Sequence, residues 1–259
     1  MAIEDQLADL ERRAVALLNT ASALEKRFAA MEKPKVLFAS DWKTSPTDGG
    51  WGVQAKVPGR ATLVPGRYGN AVRLHTEPGD TNIAGSGLSE RCDLDGSGVI
   101  SFREGDEMRM EHSIMFPIDF VPGNGWYVAA AFHNSSNDGV GQANFHVDAC
   151  RWDRGVLGLR GYGEGSNWDY PDYEAKLGHI VRGLWYDFRY YARWTHKQGG
   201  FFNAWVKVEN DDFSRQVLAH KGPTLYKDQG VYWKLSCYHE AFGKPTSVVH
   251  ERVIVLRVA

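Results

Sequence analysis

The sequence predicts a mainly β protein, an antiparallel sandwich or jelly roll, carried behind one N-terminal α-helical coiled coil. Three observations predict it. From Val36 onward, apolar residues recur with period two in many short runs. Clusters of Gly, Pro, Asn and Asp punctuate those runs. Over residues 3–31, apolar residues recur at alternating intervals of four and three, with no Pro or Gly inside. The domain boundary falls at the break near Lys33–Lys35, giving a coiled-coil segment over 1–33 and a β domain over 34–259.

The helical segment comes first. Ile3, Leu10, Leu17, Leu24 and Met31 take heptad position d, and Leu7, Ala14, Ala21 and Phe28 take a. Glu4, Glu11, Glu25 and Glu32 occupy e, and Arg13 and Arg27 occupy g, so Arg27 can reach Glu32 of a neighbouring helix. A helix over 3–31 runs roughly 45 Å at 1.5 Å per residue. Alone in water its narrow apolar stripe needs a partner. The pattern predicts a parallel homotrimer fixed to something larger, although alanines at two a positions leave the strand number open. The competing reading is a single amphipathic helix lying on its own domain. Pro34 ends the helix.

The β runs follow in order: 36–42, 71–77, 98–104, 107–116, 126–134, 143–152, 185–196, 201–209, 231–238 and 248–258. Many strands, few helices and frequent Gly turns specify an antiparallel sandwich. In 185–196, Tyr186, Phe188, Tyr190, Ala192 and Trp194 share one face, which suits a core. Arg189, Tyr191 and Arg193 share the other with Asp187. That polar face either is solvated or lines an anionic-sugar groove with Arg189 and Arg193 as carboxylate donors. The loop 161–173, with Trp168, Tyr170 and Tyr173, reads as an aromatic lid.

In 231–238, Val231, Trp233, Leu235 and Cys237 form an apolar face. Tyr232, Lys234, Ser236 and Tyr238 form the opposite one. Two phenols and a cation in a row can hydrogen-bond sugar hydroxyls and neutralise a carboxylate.

Composition narrows the function classes. A chain of 259 residues with 43% hydrophobic content can bury one sizeable β core. The net charge of -2 leaves no nucleic-acid footprint, and no run approaches the roughly 18 apolar residues of a membrane span. Nine Trp, eleven Tyr and twelve Phe suit sugar stacking as well as a sandwich core. Cys92, Cys150 and Cys237 lack ligand spacing and read as buried free thiols. Asp93–Glu104 matches the oxygen spacing of an EF-hand loop, but no outgoing helix follows it. An Asp-Gly turn between strands competes with the calcium reading and is better supported. No other metal or cofactor is called for.

The stretch YWKLSCYHE resembles the YFKAGVYNQ strand of the jelly-roll polysaccharide lyases, the alginate-, heparin- and glucuronan-lyase types with a concanavalin-like sandwich. Ala131-Phe132-His133 approaches their Q-(I/V)-H motif, and Arg91-Cys92-Asp93-Leu94 approaches R-x-E-L. The stretch QGGFFNAWVKVEN resembles the strand before the final pair. The order along the chain agrees, and the resemblance spans about Val36 to Ala259. One departure is Ala131, where the family has glutamine.

This resemblance implies β-elimination on a uronate polymer. Tyr238 and His133 would be the acid and base, Arg91 the carboxylate neutraliser and Lys234 an electrostatic aid. Tyr232 would bind substrate, and Asn134 would supply the amide that Ala131 lacks, although on a regular strand it points away from His133. The expected partner is an acidic polysaccharide, with a binding module and an active lyase as the two competing outcomes. The acidic, amphipathic N-terminus is not a signal peptide. A polysaccharide-facing protein of this kind is expected on a phage virion, beside other virion proteins, and reaches the exterior by lysis.

Overall fold

The computed structural model describes residues 34–84, 86–123, 125–135, 143–150, 153–161, 173–211, 215–225 and 230–258. The heptad segment 3–31 and most of the loop 161–173 lie outside them. Val36–Arg257 forms one compact unit.

Among the described residues sixteen strands divide between two sheets, eight in each, and no helix occurs. The first sheet runs β14 (Arg215–Lys221), β13 (Phe201–Val208), β12 (Trp185–Arg193), β7 (Glu107–Met115), β16 (Thr246–Arg257), β4 (Asn70–Thr76) and β3 (Ala61–Pro65), with β1 (Lys35–Ala39) on β16. The second runs β11 (Tyr173–His179), β10 (Val156–Gly161), β9 (Ala143–Asp148), β8 (Tyr127–Asn134), β15 (Val231–His239), β5 (Glu90–Asp95) and β2 (Gly52–Ala55), with β6 (Ser101–Phe102) on β15. The registered strand pairs within these sheets are antiparallel.

The core lies between the sheets, and period two places it there. Val231, Trp233, Leu235 and Cys237 of β15 are all 0% exposed. They meet Phe188, Tyr190, Ala192 and Trp194 of the first sheet, the face of 185–196 expected to be core. Aromatic contacts lock the two layers: Phe132 lies 4.9 Å from Trp233 and 5.3 Å from Tyr190, and Phe102 stacks on Trp194 at 5.4 Å. Each such side chain contributes about 1.5–3 kcal/mol through burial. Cys92, Cys150 and Cys237 are buried free thiols.

Three differences from the sequence expectation matter for the site. The run 98–104 contributes only the two-residue β6. Strands β2, β5 and β10, absent from the period-two runs, are present and flank β15, β8 and β9. β15 also carries a bulge between Leu235 and Tyr238 against β8, which shifts how residues face one another across the pair.

Candidate active site

The outward face of the second sheet carries a continuous polar row, and cross-strand register assembles it. Tyr232 faces His133, Lys234 faces Ala131 on one side and Asp95 on the other, Ser236 faces Asp93, and Tyr238 faces Arg91. Gln54 enters from the edge strand, opposite Asp93. Further across, Ala131 faces His146, and His146 faces Arg160. Arg160 is ion-paired with the buried Asp148.

At one end, Tyr238 is held between two groups. The Arg91 guanidinium lies 3.8 Å from its ring centroid, and Trp126 meets it edge-on at 4.7 Å. Arg91 is itself positioned tightly. It donates to the carbonyls of Ile83 (3.5 Å) and Ala84 (3.2 Å). The turn that aims these carbonyls has two non-glycine residues in the left-handed region, Asn82 (φ 61°) and Ala84 (φ 45°).

In the middle, charges compensate one another. Asp93, 1% exposed, lies 3.2 Å from Arg91 Nε and 3.1 Å from Lys234 Nζ. These are charge contacts without hydrogen-bond alignment, since neither Asp93 oxygen has a directed partner among the described residues. Lys234 donates instead to Gln54 Oε1 at 2.8 Å, and Gln54 Nε2 donates to Asp95 at 2.8 Å. One buried carboxylate therefore offsets part of both cations assigned to substrate.

At the other end lies His133. Its Nδ1 is 2.9 Å from the Asn134 carbonyl. A carbonyl only accepts, so Nδ1 carries the proton and Nε2 keeps its lone pair. Burial holds the His133 pKa below the usual histidine value. The Asn134 carbonyl opposes burial, and the charges of Lys234 and Arg91, each weaker than that carbonyl, push the same way as burial. His133 is thus a neutral imidazole at pH 7 with a base-ready nitrogen. Tyr232 packs beside it at 5.4 Å, and burial, followed by the Asp95 and Asp93 charges, pushes that phenol up to about 12.

Arg91, Lys234, His133, Tyr232 and Tyr238 therefore share one face, but His133 and Tyr238 are not neighbours. Their register partners put them five residues apart along β8, about 17 Å at 3.3 Å per residue, and no hydrogen bond joins them. Other expectations are redirected. Asn134 is 2% exposed beside the core residue Val231, so it does not replace the amide absent at Ala131. Arg189, Tyr191 and Arg193 lie on β12 in the other sheet, where Arg189 pairs with Glu111 at 3.2 Å and Tyr191 donates to Glu107. Tyr173 stacks on Phe145 at 5.4 Å. In the calcium-like loop, Asp93 faces Lys234, Asp95 accepts from the Ser97 amide at 2.8 Å, and Glu104 accepts from Thr195 at 2.5 Å and the His196 amide at 2.9 Å. Its carboxylates diverge, as in a turn between strands. The sequence reading missed Gln54, Trp126 and His146, because a four-residue edge strand and a buried polar position carry no local signal of their own.

A family model described as polysaccharide lyase matches residues 36–253. The chain belongs to that family. Three solved structures place the polysaccharide lyase domain among known sandwiches. An endo-β-1,4-glucuronan lyase from the fungus Trichoderma reesei superposes with a TM-score of 0.65 at 15% identity, covering 86% of this chain and 95% of that one. The alginate lyase Aly36B, bound to an alginate trisaccharide, gives 0.57 at 12%, covering 89% and 100%. The catalytic domain of a glycoside hydrolase family 131 protein from Coprinopsis cinerea gives 0.57 at 14%, covering 85% and 94%. At these identities the likeness shows the fold, which lyases and a hydrolase share. None of the curated proteins compared matches the chain.

Proposed function

We propose that this polysaccharide lyase family member binds an acidic polysaccharide along the β15 face and cleaves it by β-elimination at the His133 end. The observation that carries the proposal is His133: a neutral, half-buried imidazole whose tautomer, set by the Asn134 carbonyl, leaves the Nε2 lone pair for a proton. In the reaction, Nε2 takes the C5 proton of a uronate residue. The C4–O4 bond breaks, and a phenol returns a proton to the leaving oxygen. Tyr232 is the phenol nearest His133. Lys234, with Arg91 further along, supplies the field that stabilises the carboxylate as the C5 carbanion develops. Tyr238, Trp126 and Arg91 form an aromatic and cationic clamp for a neighbouring sugar.

A second reading is a binding module without turnover. Asp93 favours it, because it sits between Arg91 and Lys234 and spends part of both charges. Ala131 favours it too, since no amide stands there. We further propose that the heptad at 3–31 makes the protein a trimer carried on a phage virion beside other virion proteins.

The deciding experiment is incubation with glucuronan, alginate and pectate while following absorbance of the unsaturated product. Product from wild type and none from His133→Ala supports the lyase. Polymer binding without product selects the binding module. Binding to neutral glucan alone overturns both.

A further inference from the structure

The face of β12 opposite its core side, together with β7, β16 and the turn after β3, forms a polar cleft of about 170 Å³ on the other sheet. We propose that this cleft is a second saccharide site, which takes one acidic sugar residue against Tyr68. The proposal rests on the reading that the protein meets acidic polysaccharides and extends that reading to the opposite sheet.

The floor of the cleft is rigid. Arg67 lies over Trp185 at 4.7 Å, with its Nε donating to Glu251 at 2.7 Å and its guanidinium to Asp187 at 2.5 Å. Ser113 donates to the same Asp187 carboxylate at 2.5 Å. Above this floor stands Tyr68, an aromatic ring 65% exposed. Two guanidiniums flank its ring, Arg67 at 5.2 Å and Arg252 at 5.3 Å. An exposed ring between cations offers a sugar both a stacking face and partners for a carboxylate.

The backbone is bent to place one of these groups. Arg252 sits at φ 54° inside a bulge of β16, between Glu251 and Ile254. Bulges re-aim side chains, and a bulky residue in the left-handed region is retained where the surroundings enforce it. Here the result is that Arg252 joins Arg189 on one carboxylate, Glu111, at 2.9 Å and 3.2 Å.

Charge then selects the ligand. The cleft is lined by three cations (Arg189, Arg252, Lys207) and two carboxylates (Glu111, Asp187), an excess of one positive charge, and beside it Arg67 and Glu251 cancel as an ion pair. Lys207 is half-buried opposite Asp187 in register and makes no ion pair among the described residues. One surplus charge fits one carboxylate, not a polyphosphate track. The volume is below the roughly 300–1,000 Å³ of pockets that enclose drug-sized ligands, so the cleft holds one residue of a chain while the rest of the chain runs across the surface. A polymer held on both sheets, or two polymers bridged by one molecule, gains avidity without new contacts.

The test uses calorimetric titration of the full chain with triglucuronate, triguluronate and trigalacturonate, and with cellotriose as the neutral control. At least one acidic trisaccharide should bind at two sites per chain. Tyr68→Ala and Lys207→Ala should each weaken one site at least tenfold, while the other site and any formation of unsaturated product stay unchanged. Arg91→Ala should do the reverse. If Arg91→Ala leaves binding intact and Tyr68→Ala removes it, the β15 site falls and this one stands. A single site per chain that ignores both Tyr68→Ala and Lys207→Ala overturns the inference, as does the absence of binding by every acidic trisaccharide.

Discussion

Mild acid should destabilise this protein through histidines buried beneath the candidate site. His250 and His239 are each 0% exposed. Burial pushes His250 down to about 3, against the backbone at Ser236, and His239 down to about 4, against the Glu240 carbonyl. In the unfolded chain both titrate near 6.5. The folded values are the lower ones, so the unfolded state binds more protons. The stability is complete above pH 6.5 and is lost as pH falls towards about 4 for His239 and about 3 for His250. At pH 5 both stay neutral when folded and are charged when unfolded, which costs about 2 kcal/mol each, or about 4 kcal/mol together. That is a large share of the 5–15 kcal/mol typical of a domain. His112, stacked on His250 at 6.2 Å, is depressed by burial and by the charge of His250, and adds in the same direction. Glu90, raised by burial, opposes it and offsets part of the loss, while Asp187 and Glu104 are depressed and titrate at lower pH. With a urea slope of about 2 kcal/mol per molar, the midpoint should fall by about 2 M between pH 8 and pH 5. His250→Phe should remove about half of that difference. Equal midpoints at the two pH values, or an NMR titration of His250 in the folded protein near 6.5, would refute the reasoning.

Four further outcomes follow from the site and from the heptad. Asp93→Asn leaves Arg91 and Lys234 without their shared buried carboxylate; it should cost roughly 3–5 kcal/mol in denaturant titration and tighten uronate binding, and unchanged affinity would show that these cations do not meet substrate. If the protein turns over substrate, Tyr232→Phe should slow it on the order of a hundredfold, while Tyr238→Phe should act mainly on KM; a rate sensitive only to Tyr238 would move the proton transfer to the Arg91 end. Light scattering should find the full chain trimeric and a chain begun at Val36 monomeric, and polymer binding should weaken as salt screens the exposed charges; a monomeric full chain removes the coiled coil.

Local pattern alone determined the sandwich, because alternation has only one way to bury Val231, Trp233, Leu235 and Cys237 against Tyr190 and Trp194. It also determined that Tyr232, Lys234 and Tyr238 point together, since a strand has two faces and the apolar residues claim one. Motif order pointed to the family, and pairing of β5 and β8 with β15 brought Arg91 and His133 to the same face. Tertiary structure decided what no single segment encodes. Register set His133 opposite Tyr232, five β8 residues from the position facing Tyr238, and the bulge in β15 shifted that alignment. Edge pairing brought Gln54 to Lys234 from 180 residues away. Sheet assignment sent Arg189, Tyr191 and Arg193 to the other side of the sandwich, where their polar face reads the same in sequence as a groove-lining one. The physical reason is one of range. Side-chain alternation is fixed by the backbone within a few residues, whereas which strand lies beside which depends on how the whole core packs.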